Sequence, residues 1–155
     1  QLDSDDLVHV DFISFLKNQA PFDFLTIDGG YILFKNCNRF IKTDNLNQFC
    51  GSTVVINSKH IVYPEAVDLK YRELIPWTKN RHMNIHKYFD DFPEFEFCRT
   101  SNNLIAYVVG SGDNLSDRWR DSWLKKYKWK LKPYLFGRKI DNNFKKNFGL
   151  YSNRG

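Results

Sequence analysis

At 155 residues, 42% hydrophobic and 17% aromatic, the chain can bury roughly 70% of the surface its unfolded form would expose, so a single compact domain over residues 1–155 is expected. No apolar run approaches the roughly 18 residues a membrane span needs, and no basic start leads into an apolar block, so neither a membrane partner nor a signal peptide is expected. The net charge of +5 is a difference between unlike portions: residues 117–155 hold twelve Lys or Arg against three Asp, a net of +9, whereas residues 1–116 carry a net of −4.

The N-terminal portion opens with a predicted helix. Ser4 or Asp5 can cap it, Val8, Phe12, Phe15 and Leu16 recur at three and four, and Pro21 stops it. Short β-rich runs follow, split by turn residues: Phe22 to Ile27, Tyr31 to Lys35 and Arg39 to Lys42. The Asp28-Gly29-Gly30 junction predicts a tight hairpin, because glycine accepts the positive φ such turns require. Asn36-Cys37-Asn38 predicts a second turn, and together these runs read as an antiparallel meander. Thr53 to Ile56 and His60 to Tyr63 read as a further hairpin. Glu65 to Ile75 reads as a helix with Val67, Tyr71 and Leu74 on one face, and Trp77 to Phe92 as a polar loop ending at Pro93.

The clearest stretch runs from Glu94 to Gly149. Glu94 to Arg99 and the unbroken apolar run Leu104 to Val109 predict two strands joined at Ser101-Asn102-Asn103, the second buried on both faces. Gly110-Ser111-Gly112 leads into a helix capped by Asp113, Asn114 or Ser116, on which Leu115, Trp119, Trp123 and Tyr127 lie four apart. From Lys126 the period changes to two, with Lys126, Lys128, Lys130 and Lys132 alternating with Tyr127, Trp129 and Leu131, which predicts a strand. Asp141 caps a last short helix carrying Phe144 and Phe148, and Gly149 stops it. The expected architecture is α+β: a capping N-terminal helix, a meander, and a C-terminal strand-helix-strand-helix unit.

Several chemistries can be weighed. The glycine loop Gly110, Ser111, Gly112 between a strand and a helix could attract an anion through backbone N–H groups, but it lacks the third glycine and the lysine of nucleotide-binding loops. Tyr107 to Ser111, with Asp113, Asn114, Leu115, Arg118 and Trp119, resembles the second half of the GIY-YIG nuclease motif, which implies a catalytic role for the arginine; the same window is also similar to a methyltransferase loop. A short window that fits two unrelated families assigns neither. His82, His86 and Asp90 stand at helical spacing for a metal, but Arg81 and Lys87 oppose a cation there, and no metal or cofactor is expected. The acids Asp90, Asp91, Glu94 and Glu96 could hold a divalent ion in a nuclease, although the usual lysine two residues after the last acid is missing.

Cys37, Cys50 and Cys98 are odd in number and form no CxxC pair, which points to buried thiols in a reducing, intracellular setting, cytoplasmic or nuclear. The richness in Asn, Lys, Phe, Tyr and Ile has the drift of an AT-rich genome, as in many viruses and phages. The basic third carries the functional expectation. Arg118, Arg120, Lys125, Lys126, Lys128, Lys130, Lys132, Arg138 and Lys139 can neutralise phosphates, and aromatics among them can stack on bases. A binding protein for DNA or RNA with little sequence specificity is therefore expected ahead of an enzyme. The alternatives are a protein-interaction module docking an acidic partner, and a metal-dependent nuclease.

Overall fold

The structure, a computed structural model, describes residues 6–19, 21–50, 53–57, 95–110 and 123–150, the last segment with side chains from 127 onward. The expected hairpin at His60 to Tyr63, the helix over 65–75, the polar loop over 77–92 and the residues around the GIY-YIG-like window beyond Gly110 lie outside the described residues.

Chain order is β1 (Leu7–Val8), α1 (Phe12–Lys17), β2 (Phe24–Ile27), β3 (Gly30–Phe34), a 3₁₀ turn (Lys35–Cys37), β4 (Arg39–Thr43), a second 3₁₀ turn (Leu46–Gln48), β5 (Val54–Ile56), β6 (Phe97–Thr100), β7 (Ile105–Val109), α2 (Trp123–Phe136), β8 (Arg138–Lys139) and α3 (Asn142–Asn147). The strands form a five-stranded sheet in the order β1-β7-β3-β4-β8 and a three-stranded sheet in the order β5-β2-β6. The class is α+β, as expected. The β3–β4 hairpin expected at Asn36 to Asn38 is present, with Asn38 in the left-handed region at φ 53° closing it.

The Asp28-Gly29-Gly30 junction is not a hairpin. Strands β2 and β3 belong to different sheets, as do β6 and β7. The two segments instead run side by side: β2 pairs parallel with β6 from Phe24↔Phe97 to Ile27↔Thr100, and β3 pairs parallel with β7 from Tyr31↔Ala106 to Phe34↔Val109. The pairing offset grows by two residues between the ladders, so the Ser101 to Leu104 side carries two extra residues across the bend. Glycine serves close approach here rather than positive φ, since a Cβ on Gly29 would stand 2.1 Å from the Ser101 carbonyl oxygen. The bend is tied by Arg99, whose Nη2 and Nε lie 2.7 and 2.9 Å from Asp28 Oδ2, and by the Asp28 N–H donating to the Thr100 carbonyl at 2.8 Å.

The N-terminal helix is shorter than its periodicity suggested. Val8 lies in β1, opposite Ile105, and α1 begins only at Phe12, after Asp11. A sheet edge on β7 gives Leu7 and Val8 main-chain partners that an isolated first helical turn lacks, and the ladder wins. Ser4 and Asp5, the expected caps, lie outside the described residues.

The central strands β3 and β7 are apolar on both faces because both faces are covered. Ile32, Phe34, Ile105, Tyr107 and Val109 point to one side, where they meet Phe12, Leu46, Cys50 and, from α2, Trp129. Leu33, Ala106 and Val108 point to the other, against Phe144 and Phe148 of the α3 segment. That segment follows its sequence closely. Asp141 Oδ1 accepts the Phe144 N–H at 2.7 Å, and Gly149 ends the segment at φ 64°. Phe144 stacks on Phe40 and Phe148 with ring centroids 4.3 and 4.7 Å apart. The three cysteines are free thiols, Cys50 buried and Cys37 and Cys98 half-buried.

Candidate nucleic-acid interface

Residues 126–132 form no strand. They lie inside α2, which runs on through Pro133 to Phe136. Leucine and lysine are good helix formers, so the local composition permits helix despite the period-two pattern. Packing then selects it. On a helix Trp129 and Pro133 fall one turn apart on one side; Pro133 is buried, and the Trp129 ring sits 5.7 Å from Phe34 and 6.0 Å from Phe49. A strand would put Leu131 on the same face as Trp129 and Pro133, whereas a helix turns it to the opposite side, and Leu131 is 39% exposed while Trp129 and Pro133 pack inward. Pro133 forgoes the N–H that would bond to the preceding turn, a cost its burial offsets.

The C-terminal end of α2 is fastened by Arg39 of β4. Arg39 Nη1 donates to the Gly137 carbonyl at 2.7 Å and to the Pro133 carbonyl at 3.4 Å, placing a cation at the end of the helix where its dipole is negative. The Gly137 N–H also donates to the Pro133 carbonyl at 3.0 Å, and a Cβ at Gly137 would meet that oxygen at 2.3 Å, so the tight exit requires glycine. The Arg39 guanidinium carbon lies 5.6 Å from the Tyr134 ring centroid, over its face.

Seen down the helix, the side away from Trp129 and Pro133 is apolar and exposed. Tyr127, Leu131, Tyr134 and Leu135 follow the i, i+4, i+7, i+8 spacing of one helical face. Tyr127 is 57% exposed, Tyr134 61% and Leu135 69%, with Phe136 beyond them at 72%. Lysines flank this stripe on both sides, Lys128 and Lys132 one turn apart on one flank and Lys130 on the other. Lys128 and Lys130 are exposed; Lys132 is half-buried, its Nζ 4.8 Å from the Trp129 ring centroid. The expected single row of ammonium groups is therefore corrected to two flanks about an aromatic and aliphatic ridge.

The remaining expected residues divide plainly. Arg138 and Lys139 are exposed on β8, the edge strand next to α2, where they also guard an open edge. Lys125 and Lys126 lie in α2, their side chains outside the described residues, as are Arg118 and Arg120. Of the glycine loop only Gly110 is described, at φ 85° and packed against the Asn36 amide; Ser111 and Gly112 lie outside. Asp90, Asp91 and Glu94 also lie outside; Glu96 is exposed, and its main-chain N–H donates to the buried Asp23 carboxylate at 2.7 Å. Among the described residues no group of three or more His, Cys, Asp or Glu could hold a metal ion, and no helix is long and apolar enough to cross a membrane.

Sequence reasoning missed Tyr134, Leu135, Phe136 and Arg39. The first three had a legible signal, since the spacing from Tyr127 appears as soon as the helix is carried through Pro133. Arg39 had none, because its partners Pro133 and Gly137 lie more than ninety residues away along the chain. No protein-family model matches the chain, no curated protein matches its sequence, and no solved structure matches its fold.

Proposed function

We propose that this protein binds DNA or RNA through phosphate contacts from α2 and β8, with little sequence specificity and without cleaving it. The observation that carries the reading is the composition and exposure of α2: five lysines and no acid between Trp123 and Phe136, with Lys128 and Lys130 in solvent beside exposed tyrosines. Ammonium groups release condensed counterions from a phosphate backbone, and exposed rings add stacking. Apart from Arg138 on β8, residues 127–139 offer no Arg, Asn or Gln to form bidentate contacts with base edges, which is why low specificity is expected. Fluorescence anisotropy of labelled DNA and RNA across a salt series tests it. Affinity should be micromolar or tighter at low salt, and its logarithm should fall linearly with log salt. No binding at low salt would remove the reading.

A second reading, docking of an acidic protein partner, is favoured by Leu131, Leu135 and Phe136, aliphatic and aromatic surface that phosphates do not use. A pull-down retained after nuclease treatment, and abolished by Leu135→Ser, would support it over the first.

A further inference from the structure

Among the exposed rings on α2, Tyr134 is held from behind. One of its faces lies against the Arg39 guanidinium, which is itself fixed by hydrogen bonds to the Gly137 and Pro133 carbonyls at the end of the same helix. The buried Pro133 precedes Tyr134, and the tight Gly137 exit follows. The ring is 61% exposed, so its remaining surface is offered to solvent in an orientation set within the fold. A side chain fixed in this way loses little conformational entropy when a flat group settles on it, and a cation behind the ring is the arrangement that also suits a polarisable ring in front.

We propose that Tyr134, backed by Arg39, is a stacking platform for an unpaired nucleobase, and that the nucleic acid this protein takes is therefore single-stranded. The inference rests on the nucleic-acid reading above and deepens it. In a duplex each base face is covered by its neighbours, and a ring projecting from a helix meets only edges and phosphates. In a single strand the faces are available, and every base has one. Tyr127 lies seven residues before Tyr134, roughly 10 Å along the axis at 1.5 Å per residue. That distance equals about three steps of bases stacked at 3.4 Å, with Leu131 between the rings and lysines on either flank to follow the backbone. The charge of α2 is complementary to such a strand along its whole described length, since the helix contains no acid.

The test compares four probes of equal length by fluorescence anisotropy: a single-stranded oligodeoxythymidylate, the corresponding single-stranded RNA, a duplex, and a strand of abasic deoxyribose phosphates. The abasic strand keeps every phosphate and removes every ring. Wild-type protein should bind the two base-bearing single strands about tenfold more tightly than the abasic strand and the duplex. Tyr134→Ala should lose about tenfold on the base-bearing strands and nothing on the abasic one, while Tyr134→Phe should keep wild-type affinity, because the ring and not the hydroxyl makes the contact. Ile13→Ala, of similar exposure on α1 and outside the interface, should stay within about twofold on every probe. Thermal unfolding establishes that each variant is folded. Equal affinity for the abasic and base-bearing strands would overturn the platform and leave the phosphate reading standing. So would a loss with Leu135→Ala as large as with Tyr134→Ala, since a general apolar face would then carry the interaction. Failure of wild-type protein to bind any of the four would overturn both.

Discussion

The two C-terminal helices lie against opposite faces of one sheet and treat their aromatic residues in opposite ways. The α3 segment, from Asp141 to Gly149, puts Phe144 and Phe148 into the core beneath Tyr31 and Phe40 and closes both of its ends with its own residues, a carboxylate at the start and a left-handed glycine at the finish. Helix α2 is more than twice as long, yet among its described side chains only Trp129 and Pro133 reach inward, its end is tied by an arginine from another strand, and its rings at Tyr127, Tyr134 and Phe136 stay in water. A short helix whose apolar groups are all consumed by packing needs no further explanation. A long one that leaves apolar groups exposed between lysines has surface to spare, and exposed apolar patches of this kind mark sites of interaction.

Mutations separate the two cases. The largest effect should come from Phe144→Ala, which deletes a stacked, buried ring and should cost about 3–5 kcal/mol in urea unfolding. Trp129→Ala should follow at about 2 kcal/mol, less because its ring is only half-buried and its removal frees α2 while leaving the sheet intact. Asp141→Ala removes the carboxylate that accepts the Phe144 N–H and should cost about 1 kcal/mol. Last, Tyr134→Ala and the double variant Lys128→Glu, Lys130→Glu should each change stability by less than about 0.5 kcal/mol. The lysine variant should nevertheless weaken nucleic-acid binding on every strand and lower the salt slope by about one for each phosphate it no longer neutralises. Should Tyr134→Ala destabilise the fold as much as Phe144→Ala, the contrast between a packed helix and a presented one would collapse, and Tyr134 would have to be read as structure.

Part of this was open to reading from residues alone. The α3 segment was legible end to end, because an acid cap, two phenylalanines four apart and a terminal glycine are local signals with no competitor in the surrounding chain. The buried strand β7 was legible for a similar reason: an unbroken run from Ile105 to Val109 suits only a position covered on both sides, and all five residues are buried. The turn at Asn36 to Asn38 belongs with these, as does helix at Trp123 and Tyr127; the expected caps Asp113, Asn114 and Ser116 lie outside the described residues. The basic character of the C-terminal third was plain from composition, as was its capacity for phosphates.

Other features turned on partners distant in sequence. Asp28-Gly29-Gly30 carries every local mark of a hairpin, but Gly29 lets the chain pass close to the Ser101 carbonyl and Gly30 lets it pass close to Leu46 and the Ile105 carbonyl, and the first and last of these approaches join residues more than seventy positions apart. Val8 fits a helical spacing with Phe12, yet pairs as a strand together with Leu7, because β7 presents an edge to them. The alternating lysines from Lys126 to Lys132 have the period of a strand, yet the core takes Trp129 and Pro133 without Leu131 between them, and only a helix turns Leu131 away from that pair. Local chemistry by itself determined the α+β class, the central buried strand, the last helix and the site of the charge, since each depends on side-chain pattern within a few residues. Tertiary structure alone decided which strands became neighbours, which period the basic stretch obeyed, and that Tyr134 is held by Arg39, because each of these depends on which distant backbone groups and cavities come within reach.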